Sequence, residues 1–376
     1  MDRVHLFNPE NDLALAAGTA NYTAPKAALR LRMAGAALPL WYAGDGDHVM
    51  CHSADCHWLE RVRTDFMIHA DILDHRPHPG ERPEPWGWSA AVRKEFGDAG
   101  FPTDALPTVS EINVMRGLSH RRTGAAVAQR VAALLPDLDL PPAAEEIRSL
   151  AEAEEYMLRS GGKVFFKAPW SCSGRGVTDS RTCGTSTALG HAAGYIRSQG
   201  SAMAEQALDK AADFAKIYEC RDGEVVLSGT SVFLTDSRGA YCGNLLADEA
   251  ARVAETEMYA DGEELRRVTE AVRIALSEIV APYYSGIVGV DMLADRSGRI
   301  CPVVEVNLRK TMGYVANCFA DRYLAAGARG RFVVAPGAAA ADDYVADGGC
   351  LTGGRVNLVP PGGDFSIAAT IVGSDA

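Results

Sequence analysis

The stretch Gly289-Val290-Asp291-Met292-Leu293-Ala294-Asp295-Arg296-Ser297-Gly298-Arg299-Ile300-Cys301-Pro302-Val303-Val304-Glu305-Val306-Asn307-Leu308-Arg309 decides how the chain is read. Two apolar strands are joined by the polar turn Asp295-Arg296-Ser297-Gly298, and the second strand ends in Glu-x-Asn-x-Arg. Side chains alternate faces along a strand, so Glu305, Asn307 and Arg309 project to one side. A carboxylate, an amide oxygen and a guanidinium placed together suit a hard cation beside phosphate oxygens. Alone, these residues describe a surface hairpin with a polar tip. The segments upstream change that reading.

Lys167-Ala168-Pro169-Trp170-Ser171-Cys172-Ser173-Gly174-Arg175-Gly176 places a lysine at a strand end before a loop of serine and glycine. Backbone N–H groups of such a loop converge on phosphate oxygens, because glycine lets the chain approach closely. Neither Gly-x-x-x-x-Gly-Lys-Ser/Thr nor Gly-x-Gly-x-x-Gly occurs, so this is not a Walker loop or a dinucleotide fingerprint. Glu205-Gln206-Ala207-Leu208 then closes a strand, with Asp209 and Asp213 behind it. A strand end of this kind offers N–H and C=O groups to an adenine edge, and a carboxylate a turn later can accept from ribose hydroxyls.

Composition sets the limits. With 376 residues the chain exceeds one ordinary core, and two or three domains are expected. A net charge of -12 and no basic stripe argue against nucleic-acid binding. No apolar run approaches the roughly 18 residues that span a bilayer, and Met1-Asp2-Arg3-Val4-His5, without a cationic segment before an apolar stretch, leads to the expectation of no secretory signal. Nine cysteines scattered without a framework fit reduced thiols and a cytoplasmic location. Six of the nine histidines lie between positions 48 and 78, beside Cys51 and Cys56. Those cysteines are five apart with no second pair, so the cluster at 48–57 reads as a polar loop with ordinary histidines; metal analysis would decide.

Along the chain, Val4-His5-Leu6-Phe7 is expected as a first strand ending in the loop Asn8-Pro9-Glu10-Asn11-Asp12, followed by a helix at Lys26–Ala34. Leu38–Ala43 is expected as a second strand of a mostly parallel sheet, and residues 76–89 as a proline-rich loop or linker. Helices are expected near 123–135, 143–160 and 186–198, with strands at Val164–Phe166, 202–208 and 225–247, the last turning at Asp236-Ser237-Arg238-Gly239. Leu265, Val268, Val272, Leu276 and Ile279 mark an amphipathic helix. Residues 335–349 read as a loop, and a last strand is expected at 366–372.

The order strand-Lys, glycine loop, helix, Glu-x-x-Leu strand, long insert, helix, acidic hairpin resembles the ATP-grasp superfamily over about 110–320. The resemblance implies an α/β and α+β chain: two α+β subdomains clamping ATP, preceded by an α/β pre-ATP-grasp domain. The expected division is 1–110, then 111–208 with the phosphate loop, then 209–376 with the metal site. It implies that Lys167 contacts the α-phosphate. Ser171, Ser173, Gly174, Arg175 and Gly176 cover the β- and γ-phosphates. Glu205 and Leu208 form the adenine hinge, and Asp213 binds ribose. Asp291, Glu305 and Asn307 ligate magnesium, or manganese in its place, while Arg309 supports the transferring phosphate or the later oxyanion. The implied reaction is ATP-dependent coupling of a small-molecule carboxylate to an amine, or a thiol, through an acylphosphate, with ADP and phosphate released. A kinase on the same scaffold and a non-catalytic nucleotide-binding module are the alternatives; a degenerate module should have lost the metal carboxylates.

The chain departs from the pattern at two points. A four-residue turn at 295–298 would put Asp291 on the wrong face, so a five-residue loop or a bulge is required. No second lysine stands near Leu118-Ser119-His120-Arg121-Arg122, so an arginine is expected to replace it, a fork in place of a point charge. In the first domain, Glu10 or Asp12 is expected to hold an acceptor ammonium, or else the loop simply caps the next helix. Nothing in the sequence sets the oligomeric state; a homodimer is the commonest arrangement.

Overall fold

The structure, a computed structural model, describes residues 2–51, 55–78, 80–171, 176–235 and 241–371. Three sheets organise them. The first is fully parallel, in the order Asp71–Ile72, His48–Val49, Arg3–Leu6, Arg82–Pro85. The second is antiparallel, in the order Glu145–Ile147, Ala202–Gln206, Val164–Lys167, Val177–Asp179. The third is a nine-stranded antiparallel sheet that starts with the acidic hairpin, Ile300–Asn307 against Gly286–Asp295, and continues through Lys210–Arg221 and Glu224–Thr235.

Several expected elements take another form. Leu38–Trp41 is a short 3-10 helix, not a strand, and all four residues are buried. Pro39 has no N–H to give a ladder, and an apolar run this short does not distinguish a strand from a buried turn of helix. The proline-rich segment is no linker: Arg82–Pro85 forms a strand, and it lies at the sheet edge, where a missing N–H is tolerated. The helix expected over 143–160 divides into the strand Glu145–Ile147 and the helix Leu150–Arg159, capped by Ser149. Within 335–349 the structure holds the edge strand Asp343–Asp347. Other expectations stand: helices at Lys26–Ala34, Arg122–Leu134 and Thr185–Gln199, and a last strand at Phe365–Ile371. The expected turn at Asp236-Ser237-Arg238-Gly239 lies outside the described residues, although both flanking strands, Glu224–Thr235 and Tyr241–Leu246, are present.

The helix Gly262–Ile279 shows how pattern becomes support for the site. Asp261 caps it by accepting from the N–H groups of Glu263 and Glu264. Its buried stripe of Leu265, Val268, Val272 and Leu276 packs with Phe214, Tyr218, Val290 and Met292 from one face of the large sheet. The other face of the same strands is thereby left for Asp213, Ala215 and Asp291.

The far half of the large sheet shares an apolar core with the parallel sheet. Trp41, Phe66 and Trp86 from the first hundred residues pack with Phe319, Phe332, Leu351 and Ile367. Trp41 is fully buried, lies edge-on to Phe66, Phe319 and Tyr323, and donates its indole N–H to the Leu358 carbonyl at 2.7 Å. Truncating it leaves a large void and an unpaired carbonyl. Trp41→Ala is therefore expected to cost about 3–5 kcal/mol in urea unfolding, and to destabilise the first and last hundred residues together.

Candidate active site

The hairpin carries the centre of the site. Ala294 pairs with Ile300, and Asp295 N–H donates to the Arg299 carbonyl at 3.0 Å, so Arg296–Gly298 is a three-residue turn. Asp295 fastens it by accepting from Ser297 N–H at 2.9 Å and Arg299 N–H at 3.1 Å. The odd count already puts Asp291 on the Glu305 face. Beyond the turn the register shifts between Asp291 and Leu293, so that Asp291 stands directly opposite Glu305 instead of Val303. The irregularity takes up residues 302–304 opposite Met292, and its first residue, Pro302, cannot donate to a ladder. The four-residue turn of the sequence reading is thus replaced by a three-residue turn plus a bulge. On its other side Asp291 faces Ala215, whose small side chain leaves the carboxylate room.

Two carboxylates facing each other repel, and the surroundings show it. Burial, then Glu305, raise the Asp291 carboxyl above its ordinary range. Asn307 donates Nδ2 to Asp291 Oδ2 at 3.3 Å and accepts at Oδ1 from Arg309 Nη2 at 2.9 Å. Arg309 Nε donates to Asp12 Oδ2, also at 2.9 Å. Burial alone would lower the Arg309 pKa, but Asp12 first, then Glu305 and Asp291, outweigh it and keep the guanidinium charged. Asp12, in the first turn of the helix Asn11–Ala17, is therefore joined to the hairpin through arginine.

The second arginine comes from the other side. Arg121 Nη2 lies 3.0 Å from Glu305 Oε1, and the same nitrogen donates to Ser171 Oγ at 3.0 Å. Its Nε donates to the Ala168 carbonyl at 3.1 Å. Arg121 thus links the base of the serine-glycine loop to the acidic hairpin, which is where the sequence reading sought a substitute for lysine. The loop is closed at its base by Ala168 N–H donating to Gly176 C=O at 2.7 Å. Gly176 has φ +69°, and a Cβ there would lie 3.0 Å from Ala168 Cβ and 3.1 Å from Ser171 Cβ, so glycine is required. Ser173, Gly174 and Arg175 lie outside the described residues.

On the second sheet, buried Lys167 ends its strand and forms an ion pair with Glu205 of the neighbouring strand. The Leu208 carbonyl accepts from Arg181 Nη1 at 3.3 Å. Asp213 is not a loop residue behind that strand. It lies within Lys210–Arg221, pairs in register with Leu293, and its carboxylate is held by Lys210. Glu10 is buried and ion-paired to Arg32 at 2.6 Å, so Glu10 and Asp12 serve different partners. Glu10 precedes the helix without a side-chain cap, so the simple capping role is absent.

Some positioning residues escaped the sequence reading. Asn8 ties the end of the first strand to the edge strand: its Oδ1 accepts from Trp86 N–H at 3.0 Å and its Nδ2 donates to the Gly87 carbonyl at 2.9 Å. A Cβ on Gly87 would lie 2.9 Å from Arg309 Cβ, so this glycine lets the edge strand approach the arginine. The only signal for either was their place at strand ends. Trp170 donates its indole N–H to the Arg116 carbonyl at 3.0 Å and packs edge-on against His120 at 4.7 Å. These contacts fix the loop base from behind.

No family model and no curated protein matches the sequence. Among solved structures, the biotin carboxylase of Campylobacter jejuni in complex with β,γ-ATP superposes with a TM-score of 0.55 at 12% identity, over 98% of this chain and 87% of that one. The biotin carboxylase domain of the Hydrogenobacter thermophilus 2-oxoglutarate carboxylase, with MgADP, ADP and bicarbonate, gives 0.53 at 13% identity, over 99% and 86%. At such identities the likeness concerns the fold. The chain has the ATP-grasp fold.

His120 makes the loop support sensitive to acid. Burial, then Arg122, lower its pKa to about 4 from the ordinary 6.5, and its Nδ1 accepts from Arg122 N–H at 3.0 Å. The unfolded chain takes up this proton before the folded one. Stability present above pH 6.5 is therefore lost as pH falls toward 4, by about 3 kcal/mol from this residue. Urea unfolding at pH 7 and pH 4.5 should show a smaller difference in His120→Gln than in the unsubstituted protein.

Proposed function

We propose that the protein is an ATP-dependent ligase that activates a carboxylate as an acylphosphate and couples it to an amine, releasing ADP and phosphate. The observation that carries this reading is the pair Asp291 and Glu305, side by side and bridged by Arg121 to Ser171 of the glycine loop. The donor set is hard oxygen, and the repulsion that raises the Asp291 carboxyl beside Glu305 is one that a cation between them would relieve. Asp291, Glu305 and Asn307 would hold magnesium, or manganese, which supplies charge neutralisation at the phosphate oxygens. Asn307 would have to share its Oδ1 with Arg309, or turn its amide.

The other roles belong to the chain itself. Lys167 and Arg121 place positive charge along the phosphates, with Ser171 and Gly176, the described ends of the loop, beside them where the acylphosphate must be kept from water. Glu205 and Leu208 meet the adenine edge and Asp213 the ribose. Arg309, aimed by Asp12, stabilises the oxyanion as the amine attacks. For the acceptor ammonium, Glu10 is the better candidate. Its Oε2 is buried without a hydrogen-bond partner, beside a cavity of about 300 Å3 that Tyr22, Arg32 and Glu95 also line. The neighbours support the class: each was solved with an adenine nucleotide, one of them also with magnesium and bicarbonate.

Thermal melts with a non-hydrolysable ATP analogue and magnesium test the nucleotide site. At about 100 times the dissociation constant the ligand should add about 2.7 kcal/mol to the unsubstituted protein and far less to Glu305→Gln. With a competent carboxylate and amine pair, Arg309→Ala should lower turnover by orders of magnitude, while a melt without nucleotide that stays cooperative, at a lower temperature because Asp12 loses its partner, shows that the fold survives. No shift at millimolar nucleotide would move the chain to the class of partner-binding modules, and ADP release without a condensed product would make it a kinase.

A further inference from the structure

A second cluster lies at the opposite end of the parallel sheet. His48 opens its strand and Glu81 directly precedes Arg82–Pro85, so both stand at the amino end of the parallel sheet, opposite the end where Arg3–Leu6 leads to Asp12 and Arg82–Pro85 to Gly87. His75 reaches the same place from the connection between Asp71–Ile72 and Arg82–Pro85. Among the described residues these three bring one ligand atom each to within 4.8 Å of one another. His48 Nδ1 and His75 Nε2 each lie 3.2 Å from Glu81 Oε1. Two ligands of a tetrahedral zinc ion, at about 2.0–2.1 Å from the metal, are about 3.3 Å apart.

The surroundings point the same way. His75 Nδ1 lies 3.2 Å from Asp74 Oδ1, a contact in which only the ring can donate. His75 Nε2 lies against Glu81 Oε1, where an imidazolium donates a proton and a neutral ring presents a lone pair that a cation can take up in the proton's place. His48 Nδ1 is buried and makes no hydrogen bond, despite its closeness to the same oxygen. The remaining Glu81 oxygen is occupied, accepting from His78 N–H at 2.6 Å, which orients Oε1 toward the two rings. The rings cross at 83°, with centroids 4.9 Å apart. A cation between them satisfies three inward-facing lone pairs at once, and Asp74 behind His75 is the carboxylate–histidine support common in metal sites.

We infer that His48, His75 and Glu81 bind a borderline divalent transition ion such as zinc, with a fourth position left to water. Two imidazoles and one carboxylate favour such an ion over magnesium. Side-chain exposures of 23% for His48 and 25% for His75 leave an entry path. The ion fastens the 73–81 connection to the sheet and takes no part in the cleft. The ligand set differs from the Cys/His cluster at 48–57 considered from the sequence. Cys51 belongs to the apolar core, Cys56 and His57 are exposed at the start of the helix Cys56–Asp65, and His52 is outside the described residues.

The test uses the full chain, stripped with chelator and titrated with zinc in millimolar magnesium to fill the acidic hairpin. One zinc per chain should bind with a micromolar or tighter dissociation constant. Glu81→Gln and His48→Ala should each weaken it at least 100-fold, Asp74→Asn by about 10–100-fold, and Cys56→Ser not at all. In the unsubstituted protein, nitrogen NMR should show zinc moving His75 Nε2 and His48 Nδ1 but not the ring of His57, a readout that stands even if the variants fail to fold. Absence of one-to-one binding, or binding that leaves both ring nitrogens unmoved, would overturn the assignment and reduce the cluster to a hydrogen-bonded group.

Discussion

The repulsion between Asp291 and Glu305 is the constraint around which the molecule is arranged. Relief from the hairpin itself is partial: Asn307 donates to Asp291 and the charge of Arg309 favours its ionised form, while the neighbouring strand offers only Ala215. The rest comes from a distance. Arg121, just before the helix Arg122–Leu134, reaches Glu305 and also grips the serine-glycine loop. Arg309 leans on Asp12 from the parallel sheet. The acidic pair is therefore tied electrostatically to the loop base at Ala168 and Ser171 and to Asp12 beyond the parallel sheet. A buried charge with one partner removed is costly, so these links are strong constraints on how the three sheets sit.

How much of this was legible follows from how local each signal is. The hairpin was readable because apolar alternation, a polar turn and Glu-x-Asn-x-Arg all lie within about twenty residues. Its geometry was half readable: parity demanded an odd turn or a bulge, and the structure has both, but no local rule says which. Composition misled where it was read without position. Prolines at 83 and 85 look like a linker until the strand is known to lie at an edge, and Leu-Pro-Leu-Trp looks like a strand until the turn is known to be buried. The 343–347 strand, Asp-Tyr-Val-Ala-Asp within an alanine-, glycine- and aspartate-rich segment, is paired on one side only and needs little apolar surface. The contact of Arg121 with Glu305 had no local sign at all, since it joins segments far apart in the chain. The histidines of the second cluster were visible as a concentration, yet Glu81, which gathers them, was not part of any spacing motif.

The shared core of the parallel sheet and the far strands of the large sheet gives the first hundred residues a mechanical role. Asn8, Trp86 and Gly87 hold the strand ends against Arg309, and Lys310 N–H donates to the Trp86 carbonyl at 2.8 Å. The parallel sheet is thus attached to the hairpin on one side and to Phe319 and Phe332 on the other. The helix start that carries Asp12 toward Arg309 thus has a fixed base, which is what orientation of a guanidinium demands.

The ion pair of Lys167 with Glu205 gives the cleft a discriminating character of its own. The buried lysine is never presented bare to solvent; a carboxylate already screens it. On the proposed reading, in which Lys167 meets phosphate and Glu205 the adenine, a simple anion would have to displace Glu205 and offer it nothing in exchange. A molecule long enough to engage both groups would lose no such contact, so the pair would penalise the charged fragment relative to the whole.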